Sequence, residues 1–116
     1  MDDHKDLDVW QVAMETVTDI YKMTRDFPKE ERYGLIDQIR RAAVSIPSNI
    51  AEGAARKSTR EFGQFLSIAL GSAAELETQL MISERLGFAG DFQQTLGKVV
   101  RIKMMLLGLI RHYKTH

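Results

Sequence analysis

Carboxylates and histidines are the side chains of this sequence best suited to acid–base or metal chemistry, since cysteine is absent. The three histidines lie near the chain ends, at His4, His112 and His116, where a buried catalytic pair is hard to assemble. The glutamates of the predicted helices have no histidine at ligand spacing, and phosphate-loop and dinucleotide glycine patterns are missing. The sequence therefore predicts a protein that is not an enzyme and uses no cofactor. The alternative is a hydrolase or nuclease using carboxylates beside the proline of helix 2; Glu52 is the candidate there, although an ion pair with Arg41 would also explain it.

Basic residues supply the other candidate chemistry, which is contact with the phosphates of nucleic acid. Arg56, Lys57 and Arg60 flank the turn between helices 2 and 3, beside a helix N-terminus that favours an anion. Capping of the C-terminus of helix 2 would equally explain the first two. Aromatic residues for base stacking do not alternate with the basic ones, so any binding is expected to use backbone contacts that weaken with salt. The candidate nucleic-acid-binding residues are Arg40, Arg56, Lys57, Arg60, Lys98 and Arg101.

Charge alternates in sign along the chain, although the 16 basic and 16 acidic residues cancel overall. The net charge is −5 for residues 1–31, +4 for 32–60, −4 for 61–91 and +5 for 92–116. In an up-and-down bundle this alternation puts opposite charges on adjacent helices and disfavours mispairing. The functional interpretation is that the positive surfaces of helices 2 and 4 engage an anionic partner.

Residues around Pro47 recur every three or four positions, which places them on one side of a helix: Leu35, Ile39, Ala42, Ile46, Asn49 and Gly53. Pro47 lacks an N–H group and its ring clashes with the carbonyl of Ala43, at a cost of roughly 3 kcal/mol in a helix interior. A kink is therefore expected. The amide of Asn49 and the hydroxyls of Ser45 and Ser48 are the nearest donors for the freed carbonyl, and the asparagine is expected to face the core.

The segment Gln38 to Gly53 (QIRRAAVSIPSNIAEG) resembles the signature of the 23S rRNA intervening-sequence proteins, which are four-helix bundles. The resemblance extends over nearly the whole chain, through DLDVW at 6–10, FPKEERYGL at 27–35 and FLSIALGSAAELETQL at 65–80. It implies an up-and-down antiparallel bundle, commonly assembled as a ring-shaped homopentamer. Some family members are encoded inside insertions in rRNA genes, and distant relatives are accessory proteins of retroelement reverse transcriptases. The resemblance thus suggests RNA or a nucleic-acid-associated protein as a partner.

Four predicted helices account for the chain. They run from about Asp6 to Asp26, from near Glu30–Tyr33 to about Arg56, from the N-cap Ser58 to Gly87, and from the N-cap Asp91 to about Tyr113. We expect an all-α, up-and-down antiparallel four-helix bundle with helix 2 kinked at Pro47, forming a single domain over residues 1–116. On helix 1, one stripe is expected to pack in the core: Trp10, Ala13, Val17, Ile20, Thr24 and Phe27.

Residues 104–110 of helix 4 are apolar nearly all round, whereas packing on one side of a helix needs only a stripe. A second buried face is therefore expected, and the candidate subunit interface is Met104, Met105, Leu107 and Gly108. Helix 3 carries a stripe of small residues at Ser67, Gly71, Ala74 and Thr78, which is predicted to allow tight packing within the bundle. The apolar run of helix 4 is too short to span a bilayer, and no secretion leader is expected, so a cytoplasmic bacterial protein is predicted.

These observations favour a non-enzymatic oligomeric scaffold or adaptor that binds RNA or a ribonucleoprotein through the basic surfaces of helices 2 and 4. The alternative is a purely protein-binding assembly module with no nucleic-acid role, in which the charges only organise the bundle.

Overall fold

The computed structural model describes residues 3–114, and His116 lies outside them. Four α-helices follow one another: α1 (Asp8–Thr24), α2 (Leu35–Ala54), α3 (Thr59–Arg85) and α4 (Phe92–Lys114). Short 3-10 turns, His4–Asp6 and Lys29–Glu31, precede the first two. Among the described residues there is no strand. The predicted all-α four-helix bundle is therefore confirmed.

The starts of α3 and α4 follow their predicted caps. Ser58 Oγ accepts a hydrogen bond from the backbone N–H of Glu61 at 3.1 Å, and Asp91 Oδ1 accepts one from the N–H of Gln94 at 3.2 Å. Each bond satisfies one N–H that has no partner in the first helical turn. In contrast, α2 begins later than predicted, at Leu35, because residues 29–31 form a separate 3-10 turn.

The end of α3 is set by Gly87, as predicted. This glycine has a positive φ of 78°, a conformation that residues with a Cβ atom rarely adopt. The N–H of Phe88 donates to the carbonyl of Ser83, and the N–H of Gly87 donates to that of Glu84. This pair of bonds is a Schellman motif, which reverses the chain so that α4 can pack back along α3.

The helices form a square in which α1 packs on α2, α2 on α3, α3 on α4 and α4 on α1. Among the described residues, no Cα atoms of the diagonal pairs α1/α3 and α2/α4 come within 8 Å of each other. The molecule is 45 Å long and about 20 Å wide in each other direction. Its core consists of aliphatic and aromatic side chains from all four helices, with Ile20, Ile39, Leu76 and Ile102 completely buried.

The buried side of α1 is rotated relative to the predicted stripe. Ala13, Ile20 and Thr24 are buried as expected, but Trp10 and Val17 are only half-buried. Their places in the core are taken by three residues on the adjacent side of the helix, Val9, Val12 and Thr16. As a result, an apolar strip of α1 remains at the surface beside α2.

Helix α2 continues through Pro47 without a break, so the kink itself stays a prediction. Of the three donors predicted for the freed carbonyl of Ala43, the choice of Asn49 is wrong, because its amide donates to the carbonyl of Ser45 at 2.8 Å and to its hydroxyl at 2.9 Å. That hydroxyl is also 2.8 Å from the hydroxyl of Ser72 on α3. Asn49 is half-buried, at the contact of α2 with α3 and not in the centre of the core. The polar residues of the signature thus connect two helices.

Candidate functional site

The outer side of α3 and α4 carries the candidate site. We call it the α3/α4 face and define it by nine residues: Ser67, Gly71, Ala74, Thr78 and Met81 on α3, and Val100, Met104, Leu107 and Gly108 on α4. On each helix they follow one another at intervals of three or four, with Gly108 four residues after Met104, and so lie along one side. An ion pair connects the two helices beside this face: Lys103 Nζ on α4 is 2.8 Å from Glu77 Oε1 on α3.

Large apolar side chains on this face are open to solvent. Met81, Val100, Met104 and Leu107 are between 38% and 65% exposed. Single exposed apolar residues are ordinary on protein surfaces, whereas a contiguous set marks an interaction site. Helix α4 therefore carries exposed apolar side chains beyond its core stripe, and the second buried face expected there stays a prediction.

Two neighbouring residues of the predicted interface, Met104 and Met105, have different surroundings. Met105 is half-buried and packs against the core, near Leu7 and Val9 at the start of α1, because it lies on the side of α4 that faces α1. Met104 is turned away from the core and is 65% exposed. The apolar face therefore follows Met104 and Leu107, with Gly108 at its edge beside the hollow next to α1, and Met105 belongs to the chain's own packing.

The small-residue stripe of α3 faces outward, which corrects its predicted role in packing within the bundle. All four of its members are exposed: Ser67, Gly71, Ala74 and Thr78. A Cβ atom added at Gly71 or at Gly108 would have nothing within 4 Å, although a glycine inside a helix costs about 1 kcal/mol relative to alanine. The fold of one chain therefore does not explain these two glycines.

Sequence reasoning missed Val100 and Met81 as members of this face. The signal was present in the spacing, since Val100, Met104 and Leu107 recur at intervals of four and three. It was hidden because the apolar run was treated as a block beginning at Met104, and because methionine in α3 fits a core stripe equally well.

Half of the predicted nucleic-acid-binding residues are engaged by neighbouring side chains. Lys98 Nζ lies 2.6 Å from Asp19 Oδ2 on α1. Arg40 donates from Nε to the hydroxyl of Thr24 at 2.9 Å and stacks on the ring of Tyr21 at 4.4 Å. These contacts connect helices of opposite net charge, in keeping with the structural interpretation of the charge pattern.

Arg56 is also engaged, with its Nη2 atom 2.9 Å from Glu52 Oε1 and its guanidinium 4.8 Å from the centre of the Phe65 ring. Glu52 therefore pairs with Arg56, and the expected pairing with Arg41 is wrong. Arg41 instead binds Asp37 one turn earlier, at 3.0 Å.

Lys57, Arg60 and Arg101 are the remaining three candidates, and all are exposed. Within residues 3–114, none of them has an ion-pair partner. Lys57 and Arg60 lie at the start of α3, whereas Arg101 lies near the middle of α4, away from that end of the bundle. They are therefore available to bind an anion but do not form one compact pocket.

The two histidines that the structure describes, which were candidates for acid–base chemistry, make ordinary contacts with neighbouring aromatic rings. His4 packs edge-on against Trp10, and His112 packs in the same way against Tyr113. In the part of the chain that the structure describes, no three histidine, aspartate or glutamate side chains are grouped closely enough to hold a metal ion. None of the described helices is both long and apolar enough to cross a membrane.

Comparisons with known proteins agree with this architecture. A crystal structure of a protein of unknown function from the S23 ribosomal protein family of Bacteroides thetaiotaomicron superimposes with a TM-score of 0.81 at 24% sequence identity. The match covers 89% of this chain and 95% of the other, so the two share a fold. A search of curated proteins finds no match. The family model described as 23S rRNA-intervening sequence protein matches residues 5–108, and the chain therefore belongs to the 23S rRNA-intervening sequence protein family.

Proposed function

We propose that this protein is a non-enzymatic cytoplasmic scaffold that assembles from several copies of the chain through the α3/α4 face. The observation that carries the proposal is the coincidence, on one side of the bundle, of exposed large apolar side chains with glycines that the single chain does not need. Glycine lets another backbone approach closely, and the apolar side chains gain free energy when they leave water. The family resemblance implies five copies.

Self-association is expected to depend on Met104 and not on exposed apolar residues elsewhere. Met104→Asp puts a charge in the middle of the face and should weaken association at least tenfold, since burying an unpaired charge is costly. Ile68→Asp is the matched control, because Ile68 is also about half exposed but lies outside the face. Sedimentation over a range of concentrations measures both. Equal effects of the two changes would contradict the proposed surface.

Association with RNA or a ribonucleoprotein is a second candidate function, and the alternative is an assembly that binds only proteins. Three exposed cations support the first: Lys57, Arg60 and Arg101 have no ion-pair partner within residues 3–114. Lys57 lies just before the first turn of α3 and Arg60 within it, and the N–H groups of that turn also favour an anion. Because the other predicted cations are already paired, the proposed RNA contact is weak and dominated by phosphates.

Changing these three cations to glutamine should lower the affinity for a short structured RNA about tenfold at low salt and flatten its salt dependence. A control with the same loss of charge replaces Lys22, Arg25 and Lys29, which lie near the opposite end of the bundle. Fluorescence anisotropy at several salt concentrations measures both proteins. If the two triple variants lose the same affinity, net charge alone explains the binding; if the unmodified protein binds no RNA, the protein-binding alternative remains.

A further inference from the structure

A second apolar surface lies between α1 and α2. We call it the α1/α2 groove and define it by the hollow of about 330 Å³ lined by Trp10, Met14 and Val17 on α1 and by Val44, Pro47 and Ala51 on α2. Val44 also borders a more polar hollow of about 570 Å³ whose lining includes Tyr21, Asp37, Arg40 and Arg41. Met14 and Val44 are each at least 40% exposed. The groove is the strip of α1 that the rotation of its buried side leaves at the surface.

The groove and the α3/α4 face lie on opposite sides of the molecule. This follows from the square arrangement, in which α1 and α2 form one edge and α3 and α4 the edge across from it. A contact between two different surfaces of a subunit is head-to-tail, and a closed ring of such contacts covers both surfaces in every copy.

We propose that the α3/α4 face of one copy packs against the α1/α2 groove of the next copy. This inference rests on the proposed self-association and names the partner surface. Methionine and leucine side chains from α4 would enter the groove, while the small residues of α3 let α2 of the next copy approach. A side of the molecule measures 45 Å by about 20 Å, so full-length contact buries on the order of 800 Å² per copy, the usual size of a stable interface.

Charge supports this pairing. In a ring whose axis runs parallel to the helices, each copy is rotated relative to the one before it, so that α4 lies beside the neighbour's α1 and α3 beside its α2. The chain segments concerned carry net charges of +5 and −5 in the first pair, and −4 and +4 in the second. Each contact between copies then has the same antiparallel helix direction and the same opposition of charge as the contacts inside one bundle, which favours this arrangement.

A symmetric contact between two α3/α4 faces is the main competitor. It would leave the α1/α2 groove exposed on both copies. It would also bring together the arginines that border the face, Arg60, Arg85 and Arg101, none of which has an ion-pair partner among residues 3–114. Like charges at a shared contact disfavour association.

The test uses thiol cross-linking, because the chain contains no cysteine. Lys98 binds Asp19, and the two helices are antiparallel, so Met14 and Met104 lie at nearly the same height along the bundle. One preparation carries Met14→Cys and another carries Met104→Cys. A mixture of the two is made by dissociating the chains and letting them reassemble together. A short bismaleimide is then added to each preparation alone and to the mixture. The proposal predicts cross-linked dimers in the mixture at least tenfold above either preparation alone. A mixture of Met14→Cys with Ile68→Cys is the control and should not cross-link.

Two results would overturn the pairing. Cross-linking of Met104→Cys with itself would show a symmetric contact, and equal cross-linking in the control mixture would show random collision. Light scattering on the same samples before cross-linking separates the two proposals. An assembly with the wrong cross-links refutes only the pairing, whereas a mass of 13.2 kDa at every concentration refutes self-association as well.

Discussion

Replacing Gly53 with alanine is expected to lower the free energy of unfolding by about 2 kcal/mol, because overpacking a tight contact outweighs the gain in helix propensity. A Cβ atom at this position would lie 2.6 Å from the Cβ of Phe65 and 3.0 Å from a ring carbon of Phe62. Phe62 is completely buried against Tyr113, and the backbone of α3 carries both phenylalanines. The two helices would therefore have to move apart. Urea denaturation monitored by circular dichroism measures the change.

Gly97→Ala is the control for this prediction. Gly97 is also inside a helix, but a Cβ atom there meets nothing within 4 Å, so alanine should raise the free energy of unfolding by roughly 0.5–1 kcal/mol. Both proteins should be compared at one concentration, since assembly contributes to apparent stability. A stabilising effect of Gly53→Ala would show that α2 and α3 are not in close contact at this point.

Gly71→Arg is expected to have opposite effects on folding and on assembly. Nothing lies within 4 Å of the position where its Cβ atom would be, and arginine is a much better helix former than glycine, so the single chain should gain up to about 1 kcal/mol. The same side chain would fill the strip of small residues on the α3/α4 face. Association should therefore weaken by about 100-fold or more, as measured by sedimentation.

A series at the same position separates size from charge. Gly71→Ala should be tolerated best, and Gly71→Gln, which is long but uncharged, should weaken association nearly as much as arginine does. Loss of association only with arginine would point to electrostatic repulsion and not to a close approach of helices. Unchanged association across the whole series would mean that the small residues of α3 are not part of a contact between copies.

The parts of the fold that depend on residues close together in the chain could be predicted from the sequence. The serine and aspartate caps of α3 and α4 and the glycine that ends α3 act within a few residues of chain, so their residue types are sufficient signals. The start of α2 was less predictable, because residues after Pro28 form either a 3-10 turn or a first α-helical turn with similar local preferences.

Contacts between distant parts of the chain could not be predicted. Lys98 and Asp19 are 79 positions apart, and the sequence shows only that their helices have opposite charge. In the sequence Arg40 has no evident partner, whereas in the structure it contacts Thr24 and Tyr21 of α1. The side of a bundle to which a residue belongs depends on how each helix is rotated, and the repeat of 3.6 residues leaves that rotation open.

The candidate site illustrates both cases. The apolar excess of helix 4 was evident from its composition, since a single stripe does not need seven successive apolar or glycine residues. The outward direction of the α3 stripe was not evident, because small residues serve equally well in a tight core and at a contact between copies. Only the packing of the other helices separates these two uses.

The most direct test of the central claim is the mass of the unmodified protein, measured by light scattering over a wide range of concentrations. Self-association through the α3/α4 face predicts a mass that is a multiple of 13.2 kDa and falls toward that value on dilution. A mass of 13.2 kDa at every concentration at which the protein stays in solution would contradict the account, because the exposed apolar face and its glycines would then have no copy to bind.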